Sequence, residues 1–337
     1  METQNEVING IDVSKWQSEV KWDQVASDRP DIRFAIVKAS EGVGYTDPRF
    51  SENWEGAKQA GLIRGAYHFA RVSVVGLDKL SKRKSSGEIT TEEFNKLRDE
   101  GLRADAEAEA TWFAEQMGPL GKDDLDPVLD IEWDKRCTVK AKEIIFWCHA
   151  FLAKLEELTG RRPIIYTGRN YWRYKLAKSK TFDGYTLWLV QYTTKPEPHQ
   201  PIQTPLTGKA TWKWLPKLWQ WSHTRPVAGI QGKGVDENRF LGTEKELLAL
   251  AGHVEEKPEP VPEPEKPEAI TEKPEALIPE PEKPAVVPPP KTVEDIEVPW
   301  YADLVSWLIQ LFSGIAKRSK TPMKNPERDM EHETRIS

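Results

Sequence analysis

Cysteine is nearly absent. The chain has two, Cys137 and Cys148, which is too few for a disulfide framework, and no Cys/His spacing points to a metal centre. No metal and no other cofactor is therefore implied. An excess of positive charge is also missing: the formal net charge is −6, which leaves no electrostatic argument for nucleic acid as a partner. The opening stretch, Met1 to Asn9, is polar and lacks the apolar segment of a secretion signal. The expected location after synthesis is the cytoplasm. Hydrophobic residues are only 38% of the chain against 30% charged, so part of it should be non-globular, although 337 residues leave ample length for one large barrel. Tryptophan, by contrast, is abundant at 14. Most of these belong in a core, yet flat indole rings also serve as sugar platforms.

The most informative stretch is Asp126-Pro127-Val128-Leu129-Asp130-Ile131-Glu132-Trp133. Read as a strand, it alternates faces, with Leu129, Ile131 and Trp133 on one side and Val128, Asp130 and Glu132 on the other. Carboxylates facing a core are costly unless paired or used. Two positions along a strand separate Cα atoms by ~6.6 Å, close enough for the charges to interact. One group is then held protonated near neutrality and serves as a general acid, the arrangement that glycoside hydrolysis requires. A strand-end pair that caps the next helix or binds an arginine is the plainer alternative.

Seven further short apolar runs surround this one. They are Val7 to Val13, Phe34 to Lys38, Arg64 to Phe69, Pro163 to Thr167, Leu187 to Tyr192, Leu218 to Trp221 and Gly234 to Asn238. Amphipathic patterns around Asn53 to Ala60, Ala104 to Met117 and Val139 to Leu158 separate the earlier runs. After the sixth strand the connections read as loops. Strands that alternate with helices and then lose them predict an α/β fold, an irregular TIM-like (β/α)5(β)3 barrel over residues 1–252. Asp12, Asp130, Glu132 and Asp236 would then lie at C-terminal strand ends, the face on which barrel active sites lie. Four acids from three strands at one mouth are hard to explain as capping.

Several motifs carry a resemblance. Gly10-Ile11-Asp12-Val13-Ser14-Lys15-Trp16-Gln17, Ile36-Val37-Lys38-Ala39-Ser40-Glu41-Gly42, Gly65-Ala66-Tyr67-His68-Phe69, Leu129-Asp130-Ile131-Glu132, Leu218-Trp219-Gln220-Trp221-Ser222 and Val235-Asp236-Glu237-Asn238 together resemble the glycoside hydrolase family 25 lysozymes. These are N-acetylmuramidases of the phage-endolysin and autolysin kind. The likeness spans residues 5–250 in motif order. It implies hydrolysis of the β-1,4 bond between N-acetylmuramic acid and N-acetylglucosamine, a peptidoglycan glycan strand as partner, and action on the wall after release from the cytoplasm. It also implies Glu132 as general acid, Asp130 as its neighbouring carboxylate, and Asp12 and Asp236 as the other acids of the cleft. Lys38, Tyr67, Tyr166 and Trp219 are implied to bind the glycan, whereas His68 reads as a packed, hydrogen-bonded residue. Three routes stay open: a carboxylate nucleophile, an activated water, or attack by the substrate's own 2-acetamido oxygen with Asp130 orienting it. The last suits an Asp-x-Glu pair best. A chitinase-like barrel would need further aspartates at 128 and 125, where Val128 and Leu125 stand. From another class, a wall-binding or virion structural protein could keep the barrel without the chemistry, but all four acids are present.

Two regions depart from the family pattern. Residues 72–103 exceed a short loop, and Thr90 with Glu93 makes a capping box there, so a small helical hairpin on the cleft rim is expected. Beyond the barrel, residues 253–293 are rich in Pro, Glu and Lys and read as an extended, disordered linker. From Trp300 to Ala316 the polar positions Asp303, Ser306, Gln310 and Ser313 share one helical side. Lys317, Arg318 and Lys320 follow. Residues 294–320 are thus expected to form an amphipathic helix lying in a membrane interface through 300–320, with a spanning or a docked helix as alternatives. A polar tail, 321–337, ends the chain.

Overall fold

The computed structural model describes residues 7–176, 180–193, 215–231 and 234–253. The proline-rich linker, the C-terminal amphipathic segment and the tail lie outside the described residues. Nine strands are present among those described: β1 (Ile8–Val13), β2 (Ile32–Glu41), β3 (Tyr45–Thr46), β4 (Ile63–Phe69), β5 (Val128–Asp130), β6 (Ile164–Gly168), β7 (Thr186–Val190), β8 (Leu218–Arg225) and β9 (Val235–Phe240). Eight of them close a barrel, because β1 pairs with β2 on one side and with β9 on the other. The two-residue β3 only extends the end of β2. Around the ring, pairing is parallel through β1, β2, β4, β5, β6, β7 and β8, whereas β9 runs antiparallel to both of its neighbours.

Helices α1 (Trp22–Asp28), α2 (Phe50–Gln59), α3 (Leu77–Ser85), α4 (Thr91–Met117), α5 (Ala141–Thr159), α6 (Arg169–Tyr174) and α7 (Glu244–Leu250), with two single 3-10 turns at Lys15–Gln17 and Lys180–Phe182, complete the described elements. A helix follows each of β1, β2, β4, β5 and β6, as the sequence pattern predicts. Strand alternation divides the core in two. Leu129, Ile131, Ile165 and Leu187 face outward against α4 and α5, with Leu102, Phe113, Trp147 and Phe151. Ile8, Phe34, Ile36, Ile63, Val128, Ile164, Trp188, Leu218 and Phe240 fill the barrel, and Leu247 of α7 packs with them at the end opposite the strand mouths. Each such buried side chain contributes ~1.5–3 kcal/mol. Gly10 is required by this filling, since a Cβ there would stand 2.3 Å from Phe34 Cε2.

Two expectations need correction. The ladder of β5 ends at Asp130, so Glu132 and Trp133 lie beyond the strand. Ile131 is still held, by Ile131 N–H to Tyr166 O at 3.0 Å and Thr167 Oγ1–H to Ile131 O at 2.8 Å. Trp133 does not join Leu129 and Ile131 in the core: it is 55% exposed, with its ring against the edge of Tyr171. Asp236 stands near the start of β9, not at its C-terminal end. It reaches the same mouth because reversing a strand exchanges its ends.

The extra segment after β4 does fold as helices. α3 packs against α4, and Thr90 caps α4 with the Thr90–Glu93 box formed in both directions. The hairpin is continuous with the barrel helix, which begins at Thr91 instead of near Ala104. Gly101 makes the junction close, because a Cβ there would stand 2.8 Å from Val75 O.

Candidate active site

The inward face of each strand turns polar at its mouth. Along β1 the inward residues are Ile8, Gly10 and Asp12; along β8, Leu218 and Gln220; along β9, Phe240, Asn238 and Asp236. Asp12 is buried, and its Oδ2 accepts from Gln220 Nε2–H and Asn238 Nδ2–H, each at 2.8 Å. Both amides are fixed in turn. Trp188 Nε1–H donates to Asn238 Oδ1 at 2.8 Å, and the Tyr166 hydroxyl donates to Gln220 Oε1 at 3.0 Å. Tyr192 reaches the same oxygen at 3.3 Å. Burial, and behind it the Asp236 carboxylate, raises the pKa of Asp12 well above the usual range, with Glu132 adding to the effect. Asp236 itself is raised to about 7 by burial.

Asp130 is buried at the end of β5, and its Oδ1 has no hydrogen-bond partner. Burial first and Glu132 second push its pKa well up, while the Lys38 ammonium opposes them. Glu132 is raised to about 7 by burial, again against Lys38 and with help from Asp236. Asp12 faces Asp236 across the β1–β9 pairing, and Asp12, Asp130 and Asp236 each lie near enough to Glu132 to interact with it, so the four acids form one cluster. A carboxyl group at about 7 holds its proton near neutrality and can give it up, the property that a general acid needs. Lys38 Nζ donates to Glu41 Oε2 at 2.7 Å, and Arg71 Nε–H donates to Glu41 Oε1 at 2.8 Å. Arg71 also pairs with Asp134 at 3.0 Å. Lys38 is thus held in place beside the acids by an anion that is itself doubly paired.

Tyr67 is half-buried, and the pKa of its hydroxyl is raised by burial and then by Asp12, Asp130 and Asp236, so it lies within electrostatic reach of the same acids. Tyr166 is buried and bound to Gln220. Trp219 is not among the residues that converge. It lies on the opposite face of β8 from Leu218 and Gln220, buried, with its indole N–H donating to Gln191 O at 2.8 Å. Gln220, Asn238, Tyr192 and Glu41 also belong to the site, although the sequence alone assigns them no role. Period-two alternation was the available signal for two of them, since Gln220 shares a face with Leu218 and Asn238 shares one with Asp236. His68 is the packed residue anticipated, with Nδ1 at 2.9 Å from Ser40 Oγ and Nε2 at 2.9 Å from Glu109 Oε2. Burial lowers its pKa to about 3.

Comparison with known proteins agrees with this geometry. The model of glycosyl hydrolases family 25 matches residues 11–76 and 99–230. The unmatched stretch between them starts where α3 starts and ends within the early turns of α4, so the hairpin is an addition to the family's common core. Lysozyme M1 of Streptomyces globisporus is 32% identical over 252 residues, spanning 73% of this chain and 72% of that protein. The bacterial lysozyme from Streptomyces coelicolor superimposes with a TM-score of 0.56 at 29% identity, covering 72% of this chain and 96% of that one. A family GH25 lysozyme from Aspergillus fumigatus gives a TM-score of 0.54 at 26% identity, covering 73% and 99%. With its barrel, its acids and these matches in agreement, the chain belongs to glycosyl hydrolase family 25.

Proposed function

We propose that this protein is a lysozyme that hydrolyses the β-1,4 bond between N-acetylmuramic acid and N-acetylglucosamine in peptidoglycan. The observation that carries the reading is the pairing of Asp130, buried with a free carboxylate oxygen, with Glu132, which holds its proton to about 7. A free, buried acceptor is costly unless a ligand supplies the donor. The N–H of a sugar 2-acetamido group is such a donor.

In the route that this favours, Glu132 protonates the glycosidic oxygen as the C1–O bond breaks. The acetamido oxygen closes on C1 from the other face, and Asp130 accepts the acetamido N–H and stabilises the positive charge that grows there. Water then opens the cyclic intermediate at C1. The Glu132 carboxylate takes its proton, and the β configuration is kept. Asp12 and Asp236 position the sugar at the mouth, and Lys38 steadies the charge on the two acids after proton transfer.

Digestion of purified peptidoglycan, with identification of the new reducing end, tests the proposal. N-acetylmuramic acid is the expected reducing sugar, and N-acetylglucosamine there, or no release, would refute it. Membrane association of residues 300–320 rests on the sequence pattern alone. Among the described residues no helix is long and apolar enough to cross a membrane. Flotation of the full chain on anionic vesicles, against a version ending at Lys291, tests that part separately; equal failure to float would end it.

A further inference from the structure

We propose that the rim beyond β5 and β6 binds the carboxylates of the peptide stems carried by the glycan, and so sets the register in which the strand enters the cleft. The inference rests on the peptidoglycan reading above. Trp133, one residue past Glu132, is 55% exposed and lies with its ring against Tyr171 of α6 at 5.4 Å. Lys175, at the end of α6, places Nζ 5.3 Å from the centre of the Trp133 ring. Lys135 and Arg136 are exposed on the same loop as Trp133. Arg136 is held between Asp134 at 3.3 Å and Glu41 at 3.6 Å.

The charge balance of this rim is uneven. Asp134 is shared with Arg71 at 3.0 Å, and Glu41 with both Lys38 and Arg71. Lys135 and Lys175 form no ion pair among the described residues, although Lys175 lies close enough to Cys137 to act on its thiol. The result is an aromatic floor with unbalanced positive charge directly beside the proton donor. Sugar rings stack on such a floor, but neutral sugars give the cations nothing to bind. In intact peptidoglycan the lactyl carboxyl is already consumed in an amide bond, so the free carboxylates are those of the stem peptide. Each muramic acid carries one stem, so an anion at this rim marks one sugar of every two.

The test compares purified peptidoglycan with the same material after its peptide carboxylates are converted to amides. The wild-type full chain should digest the native wall with a kcat/KM about fivefold above that on the amidated wall, mostly through KM, for two exposed charge contacts. In a Lys135→Gln/Lys175→Gln double variant that ratio should fall to about one, and the salt dependence of KM should weaken. Wild type that digests both walls equally, or a double variant that keeps the wild-type ratio, would overturn the inference while leaving the lysozyme reading intact. No digestion of either wall by wild type would overturn both.

Discussion

Asp12 and Asp236 stand directly opposite one another across the antiparallel β1–β9 pairing. Opposed residues on one face of such a ladder bring their Cβ atoms to ~4.5–5.5 Å. Two carboxylates so placed cannot both ionise cheaply, and Asp236 is second only to burial in raising Asp12. The pair exists only because β9 reverses direction. In a barrel of eight parallel strands the start of the last strand would lie at the far end from Asp12. The irregular topology is therefore part of the site.

Glu132→Gln should lower the turnover of peptidoglycan by at least ~10²-fold, the usual contribution of a general acid. The amide keeps the shape and loses the proton to give. Circular dichroism and binding of wall fragments should be unaltered. Near-normal clearing of a wall suspension by this variant would remove Glu132 from the role.

The alkaline limb of the pH profile should report the proton on Glu132. Because its pKa is raised to about 7, activity should fall as pH climbs through that value, the donor being lost. The Lys38 ammonium lowers the pKa of both Glu132 and Asp130. In Lys38→Met that opposition disappears, so the alkaline limb of the surviving activity should move to higher pH. A limb that stays in place, or moves down, would mean that Lys38 does not act on the donor.

Most of the barrel was legible in the sequence, because period-two alternation and buried apolar runs are local signals. All eight barrel strands fall where the runs predict them. Strand direction was not legible: nothing in Val235 to Phe240 records which way it runs beside Ile8 to Val13, and that depends on how the ring closes. Trp133 was misread for a related reason. Strand alternation placed it on the face of Leu129 and Ile131, but the ladder stops at Asp130, where the polar mouth begins. In the site, acids were easier to read than amides. A carboxylate in an apolar strand is conspicuous, whereas Gln220 and Asn238 attract notice only once Asp12 is seen to need donors. Trp219 was implied by the family resemblance, although alternation with Gln220 turns it away from the cleft.

Asp130 should be separable from Glu132 by what each does to the product. If the acetamido oxygen attacks, the wild-type product retains the β configuration, followed by NMR during turnover, and no glycosyl-enzyme adduct accumulates. Asp130→Asn should lower kcat by at least about tenfold, since the partner of the developing positive charge is lost. An inverted product, or a covalent adduct trapped on any of the four acids, would exclude this route.

Glu109 offers a test of stability away from the chemistry. It is buried, and its Oε2 accepts from Arg71 N–H at 3.0 Å while facing His68 Nε2 at 2.9 Å. Burial raises its pKa from 4.5 to about 8. A raised carboxyl binds more protons in the folded state than in the unfolded one. Its effect on stability is therefore benign below about 4.5 and grows unfavourable up to about 8. In Glu109→Gln the amide can still serve both Arg71 N–H and His68 Nε2, and no charge remains to be buried. The variant should match wild type near pH 4 and gain on it progressively up to pH 8, by on the order of a few kcal/mol. Glu109→Ala should instead lose stability at every pH, by ~1–3 kcal/mol, because His68 and the Arg71 amide are left without a buried partner. Denaturant unfolding of the three proteins across that pH range decides it. A Gln variant that is less stable than wild type near pH 8 would show that Glu109 is buried as the carboxylate.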